Sequence, residues 1–309
     1  SDRCYGETCA SVAMTFFAHN MLAIKPDGRY ADLMELELYN AALAGMSQDG
    51  KRFFYVNPLT VDTSVSGIVP GYEHVLPQRP AWHACACCPP NLARLIASLG
   101  KYLWSEDEGT VYSHLFIGSE VETRYGRISM TSGYPWEGKA EYTIHDGGDF
   151  ALTIHVPQHA VKVSLHVNGE EVSNITADGY CRIQRNWQPD DRIAVEFDIP
   201  VRRIHAHPRV RDAAGKVALI RGPLVYCVED ADHKAILSGI VLPADAAINA
   251  SESSAEGMVV LHAEGTAQSS SDELYSDRTI STTAVQIRAI PYFAWGNRTL
   301  GNMQVWIRE

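Results

Sequence analysis

Apolar residues recur at helical spacing in three segments within the first third of the chain. This periodicity predicts helices over residues 10–24, 29–44 and 90–104. The first segment stops before Pro26, and Gly45 follows the second as a candidate C-cap residue. Between the second and third segments, residues 53–58 (FFYVNP) are predicted to be extended and the remainder to form loops. The pattern therefore indicates a helical first third whose loops carry the polar and sulfur chemistry.

Beyond residue 105 the helical periodicity gives way to short runs in which apolar and polar residues partly alternate. The runs predict strands over residues 110–117, 120–130, 150–156, 162–167, 180–185, 192–199, 216–228, 236–242, 258–263, 284–289 and 303–307. The dipeptides Gly118-Ser119 and Asn168-Gly169 predict hairpin turns, and the Ser/Glu/Gly-rich stretch 251–275 predicts an exposed excursion. Many short strands at this spacing are typical of β-sandwiches, so we expect an α plus β protein of more than one domain.

Composition and charge exclude several classes of function. The chain has 309 residues, which by length suggests about two domains. Its formal net charge of −11, with no Lys/Arg-rich run, argues against a nucleic-acid partner. No apolar run approaches the roughly 20 residues of a membrane span, so no membrane partner is expected. Seven cysteines, two of them adjacent, do not look like a disulfide framework, and we predict a cytoplasmic location.

Three cysteines, Cys85, Cys87 and Cys88, fall within four residues just before Pro89-Pro90 and the third predicted helix. Proline is tolerated in the first turn of a helix, so Cys87 and Cys88 are predicted to lie at a helix N-terminus. The partial positive charge there favours thiolate over thiol. Since a thiolate is both a nucleophile and a zinc ligand, this stretch is the candidate site.

Near the start of the chain, Glu7 and Cys9 offer two further ligand atoms. With Cys87 and Cys88 they make one carboxylate oxygen and three sulfurs, a tetrahedral set that suits zinc. The spacing is not that of a zinc ribbon, so unrelated buried cysteines are an alternative. The residues alone leave two kinds of zinc site open: a closed structural site with inert ligands, or a site in which one thiolate attacks a substrate.

Seven strings along the chain follow, in order, the pattern of one enzyme family. They are ETCAS at 7–11, FFYVNP at 53–58, CACCPPN at 85–91, YPW at 134–136, VNG at 167–169, RGPLVY at 221–226 and IPYFAWGNR at 290–298. In these strings the chain resembles glycoside hydrolase family 127, the β-L-arabinofuranosidases. The resemblance spans nearly the whole chain, and the cysteine string is its most specific part.

This resemblance implies a multidomain fold in which the C-terminal part of an (α/α)6 barrel is followed by β-sandwich domains. The expected divisions are residues 1–104 for the last barrel helices, 105–212 for a β-sandwich and 213–309 for a second β domain. It also implies hydrolysis of β-L-arabinofuranosides with retention of configuration, releasing L-arabinose.

Carried over by position, the resemblance implies a Zn²⁺ ion held by Glu7, Cys9, Cys87 and Cys88, with Cys87 as the nucleophile that attacks the anomeric carbon. Tyr55 matches an active-site tyrosine, although packing beside its aromatic neighbours is an alternative. Cys85 belongs to the matching string but is not implied to be a ligand. The remaining thiols, Cys4, Cys181 and Cys227, are predicted to be structural.

One departure from the family pattern concerns the general acid/base that a retaining glycosidase needs besides its nucleophile. In this family it is a glutamate shortly upstream of the Glu-x-Cys motif, and none of residues 1–6 matches it. We therefore expect the C-terminal half of a family member, completed by the missing half of the barrel or by a homo-oligomeric partner. Glu35 and Glu37 are predicted to lie on helix surfaces. Nothing in the sequence indicates that Glu73 is the general acid/base.

Histidines and tryptophans supply further candidates. His74 and His83 flank the cysteine loop and are candidate substrate-binding residues, with ordinary loop histidines as the alternative. The histidines of the β part, His155, His166, His205 and His207, are predicted at surface or edge positions. Trp104, Trp136 and Trp187 are candidates for stacking on sugars, against core packing.

Two classes of function follow. The first is a retaining glycoside hydrolase that acts through a zinc-bound cysteine on β-L-arabinofuranosyl glycosides. The second is a non-catalytic β-sandwich module for carbohydrate binding or assembly, with a structural zinc site. A thiol redox protein is disfavoured because no βαβ pattern surrounds the cysteines.

Overall fold

The computed structural model describes residues 3–172, 175–269 and 274–309. Its α-helices are α1 (Thr8–Ile24), α2 (Gly28–Glu37), α3 (Cys88–Ala97) and α4 (Gly100–Leu103). A π-helical turn, Leu38–Ala42, continues α2. Among the described residues no helix is both long and apolar enough to cross a membrane.

Strands dominate the rest of the described chain. They are β1 (Thr60–Val61), β2 (Trp104–Asp107), β3 (Thr110–Ser113), β4 (Ser119–Thr123), β5 (Gly126–Ser132), β6 (Lys139–Ile144), β7 (Gly148–His155), β8 (Val161–Val167), β9 (Glu170–Val172), β10 (Tyr180–Trp187), β11 (Arg192–Asp198), β12 (Val201–His205), β13 (Lys216–Arg221), β14 (Leu224–Glu229), β15 (Ile240–Val241), β16 (Ile248–Ser253), β17 (Met258–Gln268), β18 (Thr282–Pro291), β19 (Met303–Gln304) and β20 (Ile307–Arg308). The fold is therefore mixed α and β with few helices, as the hydrophobic pattern predicted.

The three predicted helices are confirmed, with different ends. The second leaves α-geometry after Glu37 and continues as the π-helical turn. The third is divided into α3 and α4 around Ser98, whose hydroxyl donates to the carbonyl of Arg94 at 2.7 Å and so competes with the backbone ladder. The described residues do not form an (α/α)6 barrel by themselves, so that part of the expectation stays a prediction.

The chain divides into two compact units. The first comprises residues 1–11, 39–92 and 201–309, and the second comprises residues 12–38 and 93–200. Both units are therefore assembled from segments that are distant in sequence.

The second unit is built on two packed sheets. One has the strand order β10-β7-β3-β2 and the other β4-β5-β6-β11-β8-β9. The hydroxyls of Ser113 on β3 and Tyr142 on β6 are 2.9 Å apart, which joins the buried faces of the two sheets. Phe150, Trp187 and Tyr142 are almost completely buried there. The strands of this unit agree with the predicted α plus β fold class.

The first unit contains a ten-stranded sheet. Its order is β1-β19-β14-β18-β17-β15-β20-β13-β12, with β16 paired to β17. Thr60 on β1 pairs with Gln304 on β19, so the loop region between the helices is tied into this sheet.

Two predicted features of the β part were wrong and one was confirmed. Asn168-Gly169 does join β8 to β9, and both residues have positive φ values, 52° and 87°, as a tight hairpin turn requires. Gly118-Ser119 is not a hairpin turn, because β3 pairs with β2 and β7 whereas β4 pairs with β5.

The second error concerns the stretch 251–275, which is not one exposed excursion. β16 and β17 pair over Ile248–Ser253, and β17 also pairs with β18. The apolar run 258–261 is buried, which explains the pairing. Residues 270–273 of the stretch lie outside the described residues.

Candidate functional site

Four side chains predicted to bind metal converge in the first unit. The ligand atoms of Glu7, Cys9, Cys87 and Cys88 all lie within 4.8 Å of one another. The sulfur of Cys88 is 3.5 Å from that of Cys9 and 3.8 Å from that of Cys87, and Cys87 Sγ is 3.8 Å from Glu7 Oε1. Residues separated by 79 positions in sequence thus form one cluster, hereafter the cysteine centre.

The N-terminus of α1 is held in place by the predicted extended run 53–58. Thr8 donates its backbone N–H to Tyr55 and its hydroxyl to Phe54, each at 2.9 Å. Glu7 and Val56 form an isolated antiparallel bridge. This pairing places Tyr55 beside the first turn of α1 and hence beside Cys9.

Gly45 serves this arrangement in a different way from the one predicted. It does not have a positive φ, so it is not a left-handed helix cap. A Cβ atom at this position would lie 2.5 Å from Cγ2 of Thr8. Gly45 is therefore required because the chain passes close to the first turn of α1.

The second half of the centre lies at the start of α3, as predicted. Cys88 is the first helical residue, and Pro89 and Pro90 occupy the first turn. The backbone N–H of Asn91 donates to the carbonyl of Cys87 at 3.2 Å. Both sulfurs are thus near a helix N-terminus, which favours their anionic forms.

The three thiols of the centre differ in environment. Cys88 is 1% exposed, and burial raises the pKa of its thiol. Burial also raises the pKa of Cys9. For the half-buried Cys87 the main cause acts in the opposite direction, since a hydrogen bond from the Tyr55 hydroxyl lowers the pKa of its thiol. The same bond raises the pKa of Tyr55.

A cavity beside the centre brings together the other predicted site residues. Tyr55, His74, His83 and Cys85 all line it. Nε2 of His83 is 3.0 Å from the carbonyl oxygen of Phe53, which holds the imidazole at the cavity wall. Both candidate histidines therefore lie in the wall of the same cavity.

Sequence reasoning missed two contributors to this region. The Tyr5 ring lines the cavity, with its centroid 5.3 Å from that of His74 and 6.3 Å from that of Tyr55. Glu73 also lines it, and its carboxylate accepts a hydrogen bond from the N–H of Gly71 at 2.8 Å. Tyr5 lies two residues before the Glu-x-Cys string, and this proximity was the one feature of the sequence that could have indicated a role at the site.

Arg79 was also not recognised from the sequence, although it anchors the loop that carries the site. Its guanidinium is 2% exposed and donates to the carbonyl of Ala44 at 2.9 and 3.0 Å and to that of Trp295 at 2.7 Å. It also stacks over the ring of Phe54. Burial lowers its pKa to about 10, so the group stays charged at neutral pH.

Several other predictions about single residues can now be judged. His155 and Glu35 are each 1% exposed, so their predicted surface positions were wrong. His205 and His207 are exposed, as predicted. Trp104 and Trp187 are buried core aromatics, whereas Trp136 is half-buried.

All seven cysteines lie in the described ranges, and none is in a disulfide. The absence of a disulfide framework agrees with the sequence-based expectation. Cys181 and Cys227 are buried and Cys4 is exposed.

Comparison with protein-family models finds three matches along the chain. Residues 1–101 match the GH127 catalytic domain of beta-L-arabinofuranosidase, residues 110–199 the GH127 middle domain, and residues 201–308 the glycoside hydrolase family 127 C-terminal domain.

Individual relatives agree with these matches. The chain is 37% identical to the non-reducing end beta-L-arabinofuranosidase of Bifidobacterium longum subsp. longum, over 100% of this chain and 50% of that protein. Among solved structures, the GH127 beta-L-arabinofuranosidase Ara127N-Se from Geobacillus stearothermophilus T6 is similar with a TM-score of 0.94 and 42% identity, over 100% of this chain and 50% of the other. A GH127 beta-arabinofuranosidase gives a TM-score of 0.88 at 29% identity, over 99% and 49%. The chain thus spans about half the length of the relatives it matches.

Proposed function

Because the chain belongs to glycoside hydrolase family 127, we propose that it supplies the nucleophile and the metal centre of a retaining β-L-arabinofuranosidase. The observation that carries the proposal is the position of Cys87. It is the half-buried member of the cysteine centre that accepts a hydrogen bond from Tyr55, and Tyr55 in turn lines the cavity. A sulfur so placed can reach a sugar bound in the cavity.

The donor set of the cysteine centre fits zinc. Two thiolates bound at about 2.3 Å to a tetrahedral zinc ion lie about 3.8 Å apart, and the observed sulfur separations are 3.5 and 3.8 Å. Glu7 provides the fourth donor. Zinc bound there would keep the thiolates deprotonated at neutral pH and would stabilise a departing sulfur.

The reaction we propose for Cys87 has two displacements. In the first, its Sγ forms a bond to the anomeric carbon while the glycosidic C–O bond breaks, and the leaving oxygen takes a proton from a general acid. In the second, water attacks the same carbon and gives a proton to the conjugate base. The C–S bond breaks as the new C–O bond forms, which restores the thiolate and releases L-arabinose with retained configuration.

Other residues of this chain would bind and orient the substrate. Tyr55 fixes the direction of the Cys87 sulfur through its hydrogen bond. His74 and His83 line the cavity and are proposed to contact sugar hydroxyls.

The general acid/base is proposed to come from the part of the family enzyme that this chain does not span, since the matched relatives are about twice as long. In the same way, we propose that α1 to α4 belong to an (α/α)6 barrel whose other helices lie in that part or are replaced by a partner. The division at residues 104 and 212 and a cytoplasmic location stay predictions.

The test is Cys87→Ser in the whole protein, assayed on an aryl β-L-arabinofuranoside. We expect turnover to fall by at least about 10³-fold, because a serine hydroxyl is a far weaker nucleophile than a thiolate. Cys4→Ser, at an exposed thiol outside the centre, is the matched control and should retain full activity. Acid-quenched wild-type enzyme should carry one pentosyl group on the peptide that contains Cys87.

Retained turnover in Cys87→Ser would overturn the nucleophile assignment. If Cys9→Ala, Cys87→Ala and Cys88→Ala lost folding equally and the wild-type whole protein hydrolysed nothing, the chain would instead be a binding module with a structural metal.

A further inference from the structure

A second group of metal-ligand side chains lies in the second unit, distinct from the cysteine centre. The ligand atoms of Asp32, Glu35 and His159 all lie within 4.8 Å of one another. His155 lies beside them, with its Nε2 atom 3.3 Å from Oδ1 of Asp32. These four residues are called the α2 cluster below.

The local structure brings these side chains together. Asp32 and Glu35 are three residues apart on α2 and so project from the same face of the helix. His155 is the last residue of β7, and His159 lies in the turn that follows. The backbone N–H of Gln158 in that turn donates to Oδ1 of Asp32 at 3.1 Å, which fixes the turn against the helix.

Three residues of the α2 cluster are buried, Asp32 is half-buried, and some of the buried polar atoms have no hydrogen-bond partner among the described residues. Glu35 and His155 are each 1% exposed and His159 is 9% exposed. Oε1 of Glu35 and both ring nitrogens of His155 have no hydrogen-bond partner among the described residues. A buried polar atom left unpaired is destabilising, and an unpaired buried charge is more so. These atoms therefore point to a ligand.

Tyr134 contacts two residues of the α2 cluster, and these contacts support the presence of a ligand. Its hydroxyl donates to Oε2 of Glu35 at 2.7 Å and lies 3.2 Å from Nε2 of His159. One oxygen of Glu35 thus accepts a hydrogen bond from Tyr134, while the other has no partner within the described part of the chain. Metal-binding carboxylates are commonly oriented by such outer hydrogen bonds.

We propose that the α2 cluster binds a divalent transition-metal ion through Asp32, Glu35, His159 and His155. Two carboxylates and two imidazoles are a donor set for Zn²⁺, Fe²⁺ or Mn²⁺, because imidazole is a poor ligand for Ca²⁺ and Mg²⁺. Ligands bound at about 2.0–2.2 Å to one ion lie about 3–4 Å apart, so Asp32, Glu35 and His159, whose ligand atoms lie within 4.8 Å of one another, require only small movements of their side chains. His155 lies outside that group of three, and its Nε2 atom, 3.3 Å from Oδ1 of Asp32, would complete the donor set from the Asp32 side. The ion would tie α2 to the end of β7 within the second unit.

This site does not depend on the proposed hydrolase activity, since it shares no residue with the cysteine centre. Its occupant must be distinguished from a buried water molecule or from a proton shared among the side chains.

The experiment is a count of zinc per chain in the wild-type protein after equilibrium dialysis against buffered Zn²⁺. We expect two zinc ions, one for each centre. Glu35→Gln and Asp32→Asn should each retain one zinc ion, and Cys88→Ser should retain the one in the α2 cluster. Glu37→Gln, which changes a carboxylate on the same helix outside the cluster, is the matched control and should retain two.

Two outcomes overturn the proposal. One metal ion per wild-type chain at saturation, with the sulfur-to-cobalt charge-transfer bands of the cysteine centre present in the Co²⁺ form, would show that the α2 cluster holds water or a proton instead, and this measurement needs no variant to fold. If the second zinc ion persisted in both Glu35→Gln and Asp32→Asn, it would bind elsewhere on the protein and not at the α2 cluster. Substitution by Co²⁺ gives an independent readout, because a nitrogen and oxygen site lacks the sulfur-to-cobalt charge-transfer bands that the cysteine centre would show.

Discussion

At the scale of single residues, the Tyr55 hydroxyl is the group that distinguishes Cys87 from its two neighbouring thiols. It donates to the Cys87 sulfur and lowers the pKa of that thiol, whereas burial raises the pKa values of Cys9 and Cys88. A hydroxyl in this position both directs the sulfur and borders the cavity. Tyr55 is therefore expected to affect the chemical step and not the assembly of the centre.

Tyr55→Phe tests this expectation. Removing one donor that acts at the reacting atoms should lower kcat by about 10²-fold, while metal content and thermal stability stay near those of the wild type. Steady-state kinetics on the whole protein, with metal analysis of the same sample, is the measurement. A variant that lost its metal instead would show that Tyr55 is needed to assemble the centre.

A second residue-scale consequence concerns His114, which is 1% exposed between the Ser105 and Tyr180 hydroxyls, each 2.7 Å from a ring nitrogen. Burial lowers its pKa to about 3, against about 6.5 in an unfolded chain. Between these values the unfolded state binds one more proton, so stability falls as the pH is lowered. The contribution is up to about 1.4 kcal/mol per pH unit.

We therefore expect the free energy of unfolding to depend less steeply on pH in His114→Gln than in the wild type. Urea unfolding at several pH values between 4.5 and 6.5 measures this slope. His207→Gln, at an exposed position, should leave the wild-type slope unchanged. Equal slopes in wild type and His114→Gln would mean that His114 takes up its proton in the folded state as well.

At the scale of elements, the loop between α2 and α3 is shaped by one buried cation. The guanidinium of Arg79 donates hydrogen bonds to the carbonyl of Ala44, near the start of this loop, and to that of Trp295 in the first unit. It also lies over the ring of Phe54. Since the next residue after Phe54 is Tyr55, the position of the cavity wall depends on this arginine.

Arg79→Ala should lower the free energy of unfolding by about 3 kcal/mol, because two buried carbonyl groups lose charge-assisted hydrogen bonds. Arg79→Lys should recover little of this loss, since an ammonium group cannot reproduce the planar fork of donors. Arg52→Ala, in the same loop but exposed, should change stability by less than about 0.5 kcal/mol. Denaturant unfolding of the three variants provides the comparison, and an Arg79→Ala loss no larger than that of Arg52→Ala would contradict the anchoring role.

The elements also show why local patterns predicted some features and missed others. Helical periodicity and the Pro89-Pro90 pair depend on neighbouring residues, so the start of α3 and the Asn168-Gly169 hairpin could be predicted. The Gly118-Ser119 turn could not be judged locally, because β3 pairs with β2 and with the distant strand β7, whereas β4 pairs with β5.

Glu35 illustrates the same limit for a single side chain. From its position within α2, the sequence predicted that Glu35 would be exposed on the helix surface. The residues that bury it lie about one hundred residues later in the chain and are Tyr134 and those following β7. Arg79 and Tyr5 likewise acquire their roles through partners distant in sequence. The cysteine centre could be predicted from the sequence only because its four residues belong to distinctive strings.

At the scale of the whole molecule, each compact unit holds one candidate metal centre among the residues that the structure describes. The cysteine centre joins the first turns of α1 and α3 in the first unit, and the α2 cluster joins α2 to β7 in the second. An ion that binds the native state and not the unfolded chain stabilises its surroundings by mass action. Removal of either ion should therefore lower the local stability of the unit that binds it.

Hydrogen exchange of the full chain can test this separation. The Cys88→Ser variant should exchange faster than the wild type at the amides of residues 8–11 and 88–92, by about tenfold for each 1.4 kcal/mol of local stability lost. Glu35→Gln should instead accelerate exchange in residues 28–37 and 150–160, and chelation of the wild type should accelerate both sets. Faster exchange in the first unit of Glu35→Gln, at unchanged zinc occupancy of the cysteine centre, would show that the two centres are energetically coupled and that the units do not respond separately.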